Sequence, residues 1–191
     1  PYRRQRQMCK ETVFASGDGT QASPYLIRTA EQLRAFAGSL NNKINYADKY
    51  VAPDADIDVS DAAWTPIGGS DWAFAGTFDG RGHTISGLTV GSASAPLALD
   101  GDNLFIGLFG VLEKTAVVRD VALRNVAFYT SYEATAYVGG IAGYLNGSGE
   151  SNVFTGAVVD GCSVSGVISH TSTKGNQFVL SLIHISEPTR P

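Results

Sequence analysis

The stretch GTFDGRGHTISGLTV, residues Gly76 to Val90, sets the reading of the whole chain. Short runs of β-branched and aromatic residues are punctuated by Gly76, Gly80, Gly82 and Gly87. Such punctuation marks strands too short to stand alone, joined by tight turns. Asp79-Gly80 and Arg81-Gly82 read as turn chemistry, and His83 leads into the strand Thr84 to Val90.

Outward from this stretch the chain repeats itself. GLFGVL (Gly107 to Leu112) aligns with GIAGYL (Gly140 to Leu145), and AVVRDVALRNVAF (Ala116 to Phe128) aligns with AVVDGCSVSGVIS (Ala157 to Ser169). In the longer pair, Val121, Leu123 and Val126 face Cys162, Val164 and Val167. Thr84 to Val90 reads as a weaker third copy. Self-similarity at a few tens of residues is the signature of a stacked array, in which each unit buries its apolar side only against its neighbours. The expected architecture is therefore all-β, a parallel β-helix or β-solenoid, with glycines where φ is positive or backbones approach closely.

Upstream, one helix is predicted over Ala30 to Leu40. Thr29 is its cap and Gln32 completes a capping box. Leu33, Phe36, Ala37, Leu40 and Ile44 form its apolar stripe. The expected role is to cover the open end of the array, whose unpaired strand edge would otherwise aggregate. After the helix the period switches to two, with Ala55-Asp56-Ile57-Asp58-Val59 alternating as in a half-buried strand.

These pieces together resemble the GLUG-motif repeats of bacterial surface proteins. The resemblance rests on GTFDGRGHTISGLTV, on NLFIGLFGVL (Asn103 to Leu112) and on YVGGIAGYL (Tyr137 to Leu145). SPYLIRTAEQLRAFA and ADIDVSDAAWTPIG are similar to the segment that precedes the first such repeat, with Pro53 standing where a leucine is expected. The resemblance spans roughly residues 14 to 170 and implies a right-handed parallel β-helix. It also implies an exported, cell-surface location in a bacterium, with a stalk, adhesin-like or accessory role. GLUG repeats also occur beside zinc endopeptidase domains that cleave immunoglobulin A, so an accessory part of such a peptidase is the alternative.

On this reading the chain divides into a non-native or disordered leader (1–13) and a strand with the capping helix (14–50). The repeats (51–170) and a non-native tail (171–191) follow. The tail SLIHISEPTRP, Ser181 to Pro191, resembles a translated sequencing adapter, and the opening Arg3 to Cys9 has a similar look, so the chain reads as a fragment. Cys9 and His184 then fall outside the native fold.

Composition narrows the function. The 191 residues carry a net charge of −4 with no basic stripe, which argues against nucleic acid as a partner. No apolar run reaches the roughly 18 residues a transmembrane helix needs, so no membrane insertion is expected in this segment. Two cysteines give neither a disulfide framework nor a CxxC site. The three histidines, His83, His170 and His184, form no HExxH pair, and no GxSxG elbow appears. His170 reads as a surface residue beyond the last repeat strand. Gly80-Arg81-Gly82 and Gly139-Gly140 open no helix and are not phosphate loops.

Three constellations remain. Asp54, Asp56 and Asp58 have the spacing that starts a calcium loop, but Val59 and Thr65 occupy the positions that need glycine and a bidentate acid. The favoured reading is a solvated acidic edge that resists strand pairing. Asp79 and His83 are candidates for an acid–base pair, with turn chemistry favoured instead. Trp64, Trp72 and Phe74 flank a glycine-rich turn, either as an aromatic platform for sugar rings or as a buried plug between helix and array, the plug being favoured. Tyr129, Tyr132 and Tyr137 are expected to line one loop or edge. A β-helix lyase or hydrolase would need converging charges, and the acids and bases between residues 107 and 169 do not converge along the aligned repeats. No cofactor is implied. The segment is expected to be non-catalytic, and its partner an unknown surface glycan or protein.

Overall fold

The computed structural model describes residues 13–41, 44–98, 103–150, 153–172 and 177–180. Of the expected leader (1–13) residues 1–12 lie outside the described residues, and of the expected tail (171–191) residues 173–176 and 181–191 do, as do Cys9 and His184. Thr171 and Gln177–Leu180, within that expected tail, are strand.

The described chain is mostly β, with one helix. It opens on β1 (Tyr25–Ile27), α1 (Ala30–Asn41), β2 (Tyr50–Pro53), β3 (Ile57–Asp58) and β4 (Thr77–Asp79). Next come β5 (Thr84–Ser86), β6 (Thr89–Val90), β7 (Asn103–Ile106), β8 (Phe109–Leu112), β9 (Val117–Arg119) and β10 (Ala122–Ser131). It ends on β11 (Thr135–Gly139), β12 (Ala142–Leu145), β13 (Gly147–Glu150), β14 (Val153–Gly156), β15 (Val158–Asp160), β16 (Ser163–Thr171) and β17 (Gln177–Leu180).

The strands assemble into parallel sheets. The first runs β1-β2-β4-β9-β15, the second β3-β5-β10-β16 with β6 also beside β10, and the third β7-β11-β17. β8 and β12 form a parallel pair, while β13 and β14 form an antiparallel hairpin. From β4 onward the chain passes through first sheet, second sheet, third sheet and β8–β12 pair in that order, then begins again at β9 and at β15. Parallel neighbours cannot be joined by a tight hairpin, and here the connection is a full circuit of the other sheets.

The aligned sequence repeats are the strand pairs themselves. Phe109 pairs with Ala142 and Leu112 with Leu145, as GLFGVL on GIAGYL requires. Val117 pairs with Val158, and Thr84 with Ala122. One expected match is displaced. Val126 pairs with Gly166 rather than Val167, because the register shifts between Leu123 and Val126. Arg124 and Asn125 there oppose Ser165 alone, and Asn125 takes a left-handed φ of 53°. A one-residue slip exchanges the two faces of a strand, and Val167 is accordingly exposed.

Inward-facing residues stack level upon level into columns. Ile57, Ile85, Leu123 and Val164 follow one another in register across the second sheet, and Val51, Phe78, Val118 and Val159 do so across the first. Each fully buried aliphatic side chain in such a column contributes about 1.5–3 kcal/mol.

α1 closes one end of this interior. Thr29 Oγ1 accepts the Gln32 amide at 3.2 Å, which satisfies one donor of the first turn, and Gln32 Oε1 accepts the amide of Arg28, just ahead of the cap, at 2.8 Å. Leu33, Phe36, Ala37 and Leu40 are all buried. Phe36 meets Phe14, Tyr46, Phe74 and Phe78, with ring centroids 5.0–6.4 Å apart. Ile44, expected at the end of the stripe, is exposed beyond the helix. Pro53 ends β2 without interrupting it: it sits in register with Ile27, and the hydrogen bond there comes from the next residue, Asp54 N to Ile27 O at 2.9 Å.

Candidate functional site

The acidic residues that follow β2 alternate with the core. Ile57 and Val59 point inward and are buried, so Asp56 and Asp58 point outward and are exposed. Their partners differ. Asp54 takes the Arg28 guanidinium at 2.7 Å. Asp56 Oδ1 accepts the Thr84 amide at 2.9 Å and lies 3.2 Å from His83 Nδ1. Asp58 accepts the Ser60 amide at 2.9 Å, and nearby Asp61 is paired with Arg34.

Each carboxylate is thus aimed at its own donor rather than at a shared centre. Among the described residues no group of three His, Cys, Asp or Glu side chains is placed to hold a metal ion. Millimolar calcium is expected to leave the Tm unchanged, and a rise of several degrees in a calcium titration would restore the loop reading.

The same hydrogen bonds set the acid response. The Thr84 amide, with His83 beside it, holds Asp56 below its ordinary value of 3.8. The Ser60 amide does so for Asp58, and the Arg34 guanidinium for Asp61. Lowered carboxyl values mean that the folded state binds fewer protons than the unfolded chain. Their stabilisation is therefore complete above the ordinary carboxylate value and is lost as pH falls through the lowered ones. The Tm is expected to fall as pH drops below about 4, with a shallower fall in Asp56→Asn. Identical acid melts for the two proteins would remove Asp56 from this account.

Asp79 and His83 do not form a pair. Asp79 Oδ2 accepts from Arg119 Nη2 at 2.7 Å and Nε at 3.1 Å, while His83 turns to Asp56. His170 is not a surface residue beyond the last strand. It lies within β16, with Nδ1 2.8 Å from Thr130 Oγ1, and burial lowers its pKa. Cys162 is half-buried, its thiol raised above its ordinary value by burial.

The aromatic candidates separate. Trp64 is buried, its indole N–H donating to the Gly107 carbonyl at 3.0 Å. Phe74 is fully buried between Phe36 and Phe109, its ring 5.9 and 5.0 Å from theirs. Trp72 alone of the three is on the surface, 37% exposed. Two of the three rings therefore have no face to offer a sugar, and they fill the junction between α1 and the sheets.

A set of partly exposed aromatics lies elsewhere and includes Tyr137, with partners that the sequence did not indicate. On the outer face of the third sheet Phe105, Tyr137 and Phe178 stack in a ladder. Their centroids are 5.1 and 5.0 Å apart, with planes 6° from parallel at each step. Tyr144 stands across the ladder at 69° to Tyr137. Tyr129 faces outward on β10 and Tyr132 is buried, so the three tyrosines do not line one edge. Tyr137 is covered on both faces by its neighbours and presents mainly its edge to solvent, which suits cross-strand stabilisation better than stacking on a flat ligand.

Among the described residues, no helix is long and apolar enough to cross a membrane. No family model matches the chain. Its sequence is 31% identical over 172 residues to Halomucin of Haloquadratum walsbyi, a match covering 84% of this chain and 2% of that protein. It is 32% identical over 136 residues to a candidate Gly-rich membrane protein of Evansella cellulosilytica, covering 69% of this chain and 14% of the other. The crystal structure of a candidate immunoglobulin A1 protease from Bacteroides ovatus superposes with a TM-score of 0.38 and 20% identity, covering 84% of this chain and 62% of that one. The chain thus spans only a small part of the two proteins that its sequence matches.

Proposed function

We propose that the chain is a stretch of right-handed parallel β-helix of the GLUG type, serving as a non-catalytic module of a bacterial surface or secreted protein. Its work is mechanical and presentational. It spaces or displays other parts of the protein, stalk-like or adhesin-like, and engages a surface glycan or protein. The observation that carries this reading is the repeated circuit of sheets, with strand partners such as Thr130 and His170 set 40 residues apart in sequence. A chain wound this way gains length with each level, about 4.8 Å per level, without changing its cross-section.

Two further observations support it. The matched proteins are much longer than the segment matched, and one of them is named as a Gly-rich membrane protein. Several of the charged side chains that the sequence offers as candidates are engaged in turns and ion pairs, as for Asp79 with Arg119 and Asp58 with Ser60.

Solution scattering tests the shape and turnover assays test the chemistry. The expected results are an elongated particle, and no new reducing or unsaturated ends from a panel of polysaccharides. Immunoglobulin A should also remain intact. Robust turnover of any of these substrates by this chain overturns the non-catalytic reading. Antibody labelling of intact source cells checks the location, and labelling only after permeabilisation overturns the surface assignment.

A further inference from the structure

Of the chain's asparagines only Asn146 is followed by glycine. It stands where the chain leaves the winding. Asn146 N donates to Leu112 O at 2.8 Å, on the preceding level, and the next residue opens the β13–β14 hairpin. Ala157 N donates to Asn146 O at 3.3 Å and Val158 N to Ala116 O at 2.9 Å, so both feet of the hairpin are fastened. The Asn146 side chain adds a further tie, its Nδ2 donating to Glu113 Oε2 at 3.1 Å.

Two features leave the Gly147 amide open to the side chain before it. Glycine has no Cβ to hinder the approach of the asparagine carbon to its nitrogen. The rungs of an antiparallel ladder alternate between hydrogen-bonded and unbonded pairs. Because Asn146 and Ala157 share a bond, the next rung, Gly147 with Gly156, is an unbonded one, and the Gly147 N–H points away from β14. Gly147 is also exposed, so water reaches it.

We propose that Asn146–Gly147 is a self-modification site at which the folded chain converts Asn146 into aspartate and isoaspartate. Gly147 N, its proton passed to solvent base, attacks Cγ of Asn146. The N–Cγ bond forms as Cγ–Nδ2 breaks, and Nδ2 takes a proton from water and leaves as ammonia. Water then opens the cyclic imide, at Cγ to give aspartate or at the backbone carbonyl carbon to give isoaspartate. Water is consumed and ammonia released in equal amounts, and nothing is oxidised or reduced. The product carries oxygen where Nδ2 donated, so a carboxylate faces that of Glu113 and the tie becomes a repulsion. The isoaspartate form also adds a carbon to the backbone at the foot of the hairpin. The hairpin is thereby released, while the levels that carry it keep their registers.

Ageing the folded chain at neutral and at mildly alkaline pH, with peptide mass mapping, tests this. The expected result is exchange of NH for O at Asn146, at least about tenfold faster than at any other asparagine. It should quicken at the higher pH, because the attacking nitrogen must first lose its proton. Gly147→Ala should slow it at least about tenfold. In the aged protein, hydrogen exchange should speed up in β13 and β14 while β5 and β10 stay protected. Asn146→Asp should reproduce that opening, and Glu113→Gln added to it should reverse it. An Asn146 that survives in the folded chain yet converts in urea overturns the proposal, since the fold then protects the bond. Conversion that leaves β13 and β14 exchange unchanged, or an Asn146→Asp opening that Glu113→Gln does not reverse, overturns the release of the hairpin.

Discussion

Phe109→Ala is expected to lower the unfolding free energy by about 3–5 kcal/mol, a large share of what a domain of this size commands. Phe109 is fully buried in β8, its ring 5.0 Å from Phe74 and 5.5 Å from Phe78. Those two rings pack in turn on Phe36, so Phe109 links the β8–β12 pair to the helix. The site cannot collapse easily once the ring is gone. Phe109 N donates to Ile141 O at 2.8 Å and Gly110 N to Ile67 O at 3.0 Å, which ties the backbone to the levels on both sides. The cavity term should therefore survive in full, and the Tm should drop by roughly 6–20 °C. Phe178→Ala, which removes a half-exposed ring, is expected to cost far less. A loss below about 1 kcal/mol for Phe109→Ala in denaturant melts would mean that the aromatic cluster is not packed as described.

The parts of this fold that were legible in the sequence are those where side-chain type and spacing act locally. The Leu33-Phe36-Ala37-Leu40 stripe requires a helix, and the two glycine-flanked copies at Gly107 and Gly140 are strand neighbours without adjustment. The misplaced partner of Val126 has a different origin. An ungapped alignment puts valine on valine, yet Gly166, at φ 144°, lies so close to the Val126 backbone that an added methyl group would overlap it. That approach is set by the neighbouring level, so nothing local announces the dropped residue.

The aromatic ladder was missed for a related reason. Tyr137 and Gly140 are separated by one more residue than Phe105 and Gly107, so extending the repeat upstream without a gap fails to align the rings. The acidic alternation at Asp56 and Asp58 was readable, whereas their donors were not. His83 and Thr84 reach Asp56 from 27 and 28 residues away, a distance only the stacking closes. Size alone favours the plug for Trp64 and Phe74, but the rings that Phe74 packs on, Phe36 and Phe109, are 38 and 35 residues away and were not readable.

Gly110→Ala is expected to destabilise the protein by about 1–3 kcal/mol, although the change is a single methyl group. Gly68, Gly110 and Gly143 lie one above another where the chain enters successive levels. A methyl on Gly110 would overlap the Gly68 carbonyl oxygen, and one on Gly143 would sit 2.9 Å from the Gly110 oxygen and 2.8 Å from that of Tyr137. No positive φ is involved at Gly110 or Gly143, so the requirement for glycine is the close approach of one backbone to the next. Relief would need the levels to part, and that would lengthen the parallel hydrogen bonds on both sides. Gly38→Ala supplies the opposite case. It lies in α1 with open space around the added carbon, so better helix propensity should stabilise by about 0.5–1 kcal/mol. Paired urea melts of the two variants decide the matter. Opposite signs mean that the glycine of each GLFG or GIAG segment is retained because the levels touch there, while a neutral Gly110→Ala would mean that the levels are spaced more widely than their registers require.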